Sequence, residues 1–347
     1  MIHLRISLLT LFLAIGIYTN RAQATIDDSG LTGPVQPLKM SVSTNLGPSE
    51  IVKTPLKSND LTVSSYIRKG GKLIELLHLS YASVESCQTR SVGDEIAFES
   101  ELTSQYIDVK KSGTYRVQFT GECGSHHDLI FESESPEGQA VVIWEVANRA
   151  VSKFAQINRL DFWGGPLQIS WPADGDYYSW GTVYLTRGDY WDVVGHEIGH
   201  AIYDRANIGV SGGGQHYIDQ CYTDSLALSE GWASFFSAWV SVDTKDPNAQ
   251  FEFMVPRRAP LGIETVPDDV CAGPTNEWRV YAFLWDIIDH NDDGEVSNLE
   301  FLRYWDLAYN QNTRSMAQKT TNLVRGGIDR DHLNKIWELN FKTPVVE

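Results

Sequence analysis

Two histidines four residues apart, with a glutamate beside the first, stand in the stretch His196-Glu197-Ile198-Gly199-His200. On a helix, residues i and i+4 lie one above the other, so both imidazoles can reach one cation. Glu197 follows one step later, about 100° around the axis. There it is placed to act as a general base on water rather than as a ligand. Val194, Ile198, Ala201 and Ile202 supply the apolar side that anchors such a helix. A zinc ion held this way needs a third protein ligand and one open position.

Several residues compete for the third place. A histidine six residues after His200 would complete one known arrangement, but that position is Ala206, which excludes the metzincin pattern. Asp204 lies one turn beyond His200 and is a candidate ligand or supporting partner. His216 sits in the glycine-rich run Ser211-Gly212-Gly213-Gly214-Gln215-His216-Tyr217. Glu230 is the strongest candidate. Leu226, Ala227, Leu228, Trp232, Ala233, Phe235, Phe236, Ala238 and Trp239 make its segment apolar nearly all round, with Asp224-Ser225 read as its cap. A helix of that composition is buried. A lone carboxylate inside it costs several kcal/mol, and a metal relieves that cost.

His196-Glu197-Ile198-Gly199-His200 followed by Ser229-Glu230-Gly231-Trp232-Ala233 resembles the gluzincin metallopeptidases, the group containing thermolysin and related zinc aminopeptidases. The resemblance covers roughly residues 181–237. It implies His196, His200 and Glu230 as zinc ligands and Glu197 as general base. It also implies a peptide or protein substrate and a preceding strand that lines the cleft. An oxyanion needs a further donor. Tyr281 is the candidate, because the helix 277–288 would bury Val280, Phe283, Leu284 and Ile287 and leave Tyr281 off that face. His216 and Tyr217 are alternatives.

Two departures stand out. The 29 residues between His200 and Glu230 exceed the usual spacing. Many gluzincins also place an aspartate four residues after the ligand glutamate to orient a zinc histidine. Here that position is Ser234, and Asp204 is the candidate substitute.

A second cation motif lies downstream. Residues 289–300 match the twelve-residue calcium loop of an EF-hand. Asp289, Asn291, Asp293 and Ser297 supply oxygens, and Gly294 takes the tight turn. Glu295 offers its carbonyl, and Glu300 closes the loop with both carboxylate oxygens. A lone copy between helices ending near Ile288 and resuming near Leu299 suggests structural Ca2+.

These sites need elements to hold them. Arg5, the apolar run 6–18 and Ala22-Gln23-Ala24 read as a secretory signal peptide over residues 1–24, cleaved after Ala24. That implies a secreted or periplasmic protein with no stable membrane insertion. Cleavage removes Arg5 and Arg21 and no acid, which takes the net charge from -17 to -19. A chain this acidic repels phosphate backbones, so nucleic acid is not expected as a partner. The four cysteines of an exported chain suggest two disulfides. Cys87–Cys123 and Cys221–Cys271 are favoured, because each pair falls within one expected domain.

Residues 25–37 read as a linker. Alternating stretches at 61–67, 96–102, 106–109 and 115–119, with a hairpin signal at Lys111-Ser112-Gly113, read as an antiparallel β domain over 38–135, most simply a sandwich. Strands at 167–171 and 182–186 precede helices in 136–347, which gives an α+β chain with a mainly helical, zincin-like second domain. Two other readings remain: a calcium-stabilised, zincin-like adhesion protein without activity, and a zinc hydrolase of a non-peptide amide or ester.

Overall fold

A computed structural model of the 347-residue chain describes residues 61–83, 86–291 and 299–344. The signal peptide and linker readings, and most of the calcium loop, lie outside the described residues.

The first part of the chain forms strands β1 (Thr62–Lys69), β2 (Lys72–Glu75), β3 (Ala82–Ser83), β4 (Glu95–Glu101), β5 (Ile107–Lys110), β6 (Arg116–Glu122) and β7 (His126–Glu132). Helix α1 (Pro136–Gln156) follows, then β8 (Leu167–Ser170), β9 (Tyr177–Ser179) and β10 (Thr182–Tyr184). Beyond them lie α2 (Trp191–Arg205), α3 (Asp224–Ser241), the short pair β11 (Gln250–Phe251) and β12 (Leu261–Gly262), α4 (Glu277–Ile288), α5 (Phe301–Ala308), α6 (Met316–Arg325) and α7 (Arg330–Phe341). Helices and strands both occur, as an α+β chain requires.

The β region is not uniformly antiparallel, contrary to expectation. β4 pairs antiparallel with β3 and β6. β1, however, takes β2 on one side antiparallel and β7 on the other in parallel. β5 leaves this region and runs parallel to β8, in a sheet of order β5-β8-β10-β9. The turn at Ser112 and Gly113 forms, both residues having positive φ, but the strands it joins enter different sheets. Alternation identifies which face of a strand is apolar; it does not identify the partner. One apolar core accordingly runs from Ile67, Ile107, Val109 and Phe131 through α1 to Val194, Phe236 and Leu284. Both disulfides form in the expected pairing, Cys87–Cys123 and Cys221–Cys271.

α2 starts after Tyr190 without a side-chain cap, and the preceding Asp189 carboxylate is held by the Arg187 guanidinium, 2.7 Å away. The cap of α3 differs from the expected Asp224-Ser225. α3 is capped by Thr223, whose hydroxyl accepts from the Leu226 amide.

α2 and α3 pack at unusually close range, and glycines permit it. A methyl group on Gly199 would lie 2.8 Å from the Ala233 carbonyl oxygen, and one on Gly195 2.4 Å from Ser237 Oγ. Gly199→Ala is therefore expected to force the helices apart, at a cost of about 1–3 kcal/mol. A lowered melting temperature in a thermal unfolding scan checks this.

Candidate metal centre

The two close-packed helices bring three side chains to one point. His196 and His200 face inward from α2, and Glu230 meets them from α3. The two histidine Nε2 atoms are 3.0 Å apart. Glu230 Oε2 lies 3.2 Å from His196 Nε2 and 3.1 Å from His200 Nε2. Three ligands at zinc bond lengths of about 2.0–2.1 Å on a tetrahedron stand about 3.3 Å apart. The donor types and spacings fit such an ion. Without a cation, two imidazole nitrogens and a carboxylate crowd together with Glu230 only 1% exposed.

The electrostatics agree with a ligand set. Burial pushes the His196 imidazole down to about 4, so it stays neutral with a lone pair to give. Burial would raise the Glu230 carboxyl, but His200 and His216 hold it well below the ordinary range, as a carboxylate.

His196 is oriented by Ser234 itself. Its Nδ1 is 3.1 Å from Ser234 Oγ. With Nε2 turned to the ligand cluster, Nδ1 carries the proton and donates to Ser234. The Ser234 hydroxyl in turn donates to Met254 Sδ at 3.7 Å. Met254 is itself fixed by Asp192, whose fully buried carboxylate accepts from the amides of Glu252, Phe253 and Met254. Asp204 does not substitute for the missing aspartate. It is exposed near the end of α2, where its carboxylate accepts from Tyr178 Oη at 2.7 Å. Partners of this kind alter metal affinity or activity 10- to 100-fold. Ser234→Ala is expected to weaken zinc binding by about that factor with the fold retained, as competition against a zinc chelator would measure.

Glu197 sits beside the cluster in a different state. It is fully buried, and neither carboxylate oxygen has a hydrogen-bond partner among the described residues. Burial, with Asp176 and Glu230 nearby, pushes its carboxyl well above the ordinary range. A carboxyl held this way is ready to take up a proton.

Tyr281 is not where the sequence reading put it. α4 is buried on every side, and Tyr281 is 0% exposed. Its hydroxyl donates to the Gly262 carbonyl at 3.2 Å, and its ring packs on Phe251 and Trp278. The neighbouring apolar positions suggested one buried face, but the helix lies in the middle of the core. His216 does reach the cluster. Its Nε2 is 3.7 Å from Glu230 Oε2, and its Nδ1 is 2.7 Å from Glu277 Oε2, close but not aligned as a hydrogen bond. Burial alone would lower this imidazole; Glu277 and then Glu230 outweigh it and raise it to about 9. His216, Glu230 and Glu277 thus form a second convergent group sharing Glu230. Tyr217 is half-exposed at the rim, with the Arg257 guanidinium over its ring.

Glu277 and Met254 escaped the sequence reading. A glutamate in the first turn of a helix reads as a partner of the helix dipole, and nothing local marks Met254. The His216 loop is tied to the start of α4 by Cys221–Cys271 and by Asn276, whose side-chain amide donates to the Ile218 and Gln220 carbonyls.

In the second cation motif, Asp289 is fully buried and its Oδ2 accepts from the Asn291 amide. Asn291 also donates to Glu264. The Leu299 amide donates to the Ile287 carbonyl, which brings the two ends of the loop together. Glu300 is exposed at the start of α5. Asp293, Gly294, Glu295 and Ser297 lie outside the described residues.

Residues 166–325 match a family model described as the Mycolysin C-terminal domain, which points to a peptidase. The matched span is less than half of the chain, but it contains every residue of the cluster from His196 to Glu277. No curated protein matches the chain. Among the described residues, no helix is long and apolar enough to cross a membrane.

Proposed function

We propose that this chain is a secreted zinc metallopeptidase. The carrying observation is the meeting of His196, His200 and Glu230 at 3.0–3.2 Å next to a buried Glu197 carboxyl with no protein partner. His196, His200 and Glu230 would hold the zinc ion, which when bound supplies Lewis acidity toward a peptide carbonyl and water. Glu197 takes the proton of the attacking water and delivers it to the leaving amine. His216, kept protonated by Glu277, offers Nε2–H to the oxygen that gains negative charge as the carbonyl is attacked. Ser234 holds the His196 ring in the tautomer that ligation requires.

The test is zinc analysis of the purified protein together with cleavage of a mixed peptide library. About one zinc per chain with chelator-sensitive cleavage supports the reading. A folded, zinc-loaded protein that cleaves no peptide overturns it in favour of a non-peptide substrate or an adhesive role.

A Ca2+ ion in the loop 289–300 is the second part of the proposal. Asp289 and Asn291 would contribute from the end of α4 and Glu300 from the start of α5, so the ion would tie the two helices together. Removing calcium with a selective chelator is expected to lower the melting temperature; an unchanged value counts against this site.

A further inference from the structure

Away from the metal centre, α1 and the segment after β2 assemble a serine, a histidine and a glutamate in a row. Ser152 Oγ lies 3.0 Å from His78 Nε2. His78 Nδ1 lies 3.1 Å from Glu145 Oε2, and the His78 main-chain amide donates to the same oxygen at 3.2 Å. The other carboxylate oxygen, Oε1, accepts from Arg149 Nε at 3.1 Å. The Trp144 indole donates to the His78 carbonyl, which fixes the residue from the opposite side.

The proton positions follow from the chemistry of the partners. Burial alone would raise Glu145, but His78 and Arg149 hold its carboxyl below the ordinary range, as a carboxylate. A carboxylate only accepts, so His78 Nδ1 carries a proton, and in the neutral imidazole Nε2 then presents its lone pair. The Ser152 hydroxyl therefore donates to Nε2. A serine in a helix more often bonds back to the carbonyl four residues earlier. Here the hydroxyl is turned out of the helix toward a base, and the base is oriented by a buried acid. That is the relation of nucleophile, base and orienting group used in acyl transfer.

The surroundings indicate what could be acylated. A pocket beside α1 is lined by Glu145 and Arg149 of this network together with Ile74, Leu76, Val142, Val146 and Trp191; Ser152 and His78 lie outside its lining. Ser152 stands one turn beyond Arg149, and both Ser152 and His78 are only partly buried. Leu77, next to His78 in the chain, is half exposed at 50%. Walls of this composition would take an apolar acyl group. Arg149 reaches Glu145 through Nε alone, which leaves the cationic guanidinium beside the network.

We propose that Ser152, His78 and Glu145 form a second, metal-independent site that hydrolyses carboxylic esters of apolar acids. Ser152 Oγ bonds to the acyl carbon while its proton passes to His78 Nε2 and the carbonyl electron pair moves to oxygen. As the carbonyl reforms, the ester C–O bond breaks and the leaving alcohol takes the proton from Nε2. Water then attacks the acyl-serine, gives one proton to Nε2 and releases the acid, and Ser152 recovers the proton. Glu145 stays ionised throughout.

The site shares no residue with the metal centre, so the two readings fail separately. Full-length protein is treated with a fluorophosphonate probe and mapped by mass spectrometry, with and without a zinc chelator. Turnover of p-nitrophenyl butyrate is measured in parallel for the unmodified protein, Ser152→Ala, His78→Ala and Glu197→Gln. The expected result is an adduct on Ser152 that persists in chelator. Ester turnover should be unaffected by Glu197→Gln and reduced at least about a hundredfold by Ser152→Ala or His78→Ala. Labelling of the unmodified chain does not depend on how any variant folds. No adduct on Ser152, equal turnover in Ser152→Ala, or ester turnover abolished by the chelator each overturns the proposal.

Discussion

Glu197→Gln is expected to keep its zinc and lose at least about a thousandfold in kcat, with KM little changed. The amide matches the carboxyl in size and removes only the capacity to accept and return a proton. Positioned acid–base groups contribute factors of 10²–10⁴, and Glu197 would serve both attack and departure. Its setting favours the upper part of that range. The carboxyl is fully buried, no described protein group bonds to it, and burial with Asp176 and Glu230 raises its proton affinity. The substitution also removes a buried group of high proton affinity, so the variant should be no less stable than the parent. Zinc content by atomic emission, with initial rates on the best library peptide, checks both halves. Full activity with zinc in place would remove Glu197 from the mechanism.

Glu230→Gln is expected to have the opposite signature: zinc is lost first and activity with it. Glu230 Oε2 is the atom both imidazoles converge on, and it is the charged member of the set. A neutral amide leaves two histidines on one helix as the remaining donors. Loss of supporting partners alone weakens a metal site by 10- to 100-fold. Loss of a ligand should exceed about a hundredfold, enough to empty the site on dialysis. His216 would also lose one of the two carboxylates it faces, keeping only Glu277. The chain should still fold, because α3 is apolar on every side and its packing does not depend on the carboxylate. Zinc titration of the dialysed variant separates this from Glu197→Gln, and unchanged affinity would mean that Glu230 is not a ligand.

The local part of this arrangement was legible in the sequence, for a physical reason. Helical periodicity sets His196 and His200 on one face and Glu197 to the side, whatever the rest of the chain does. The all-round apolar character of 226–239 made burial of Glu230 readable, because such a helix has no face for water. The disulfide pairing followed from keeping each pair within its own segment.

What required the tertiary structure is everything set by contacts across long separations. Ser234 supports His196 because α2 and α3 approach closely at Gly195 and Gly199, a distance no local pattern encodes. Tyr281 is spent on the Gly262 carbonyl because α4 is enclosed from all sides, whereas His216 is carried to the cluster by a loop tied to α4. The parallel pairing of β1 with β7, and of β5 with β8, joins strands about 60 residues apart. Alternation alone specifies faces, and partners are chosen by the whole fold. The sequence by itself therefore determined which residues could ligate and which could accept a proton. Tertiary packing alone decided which of them meet, since a donor set is made by converging helices and not by spacing along one.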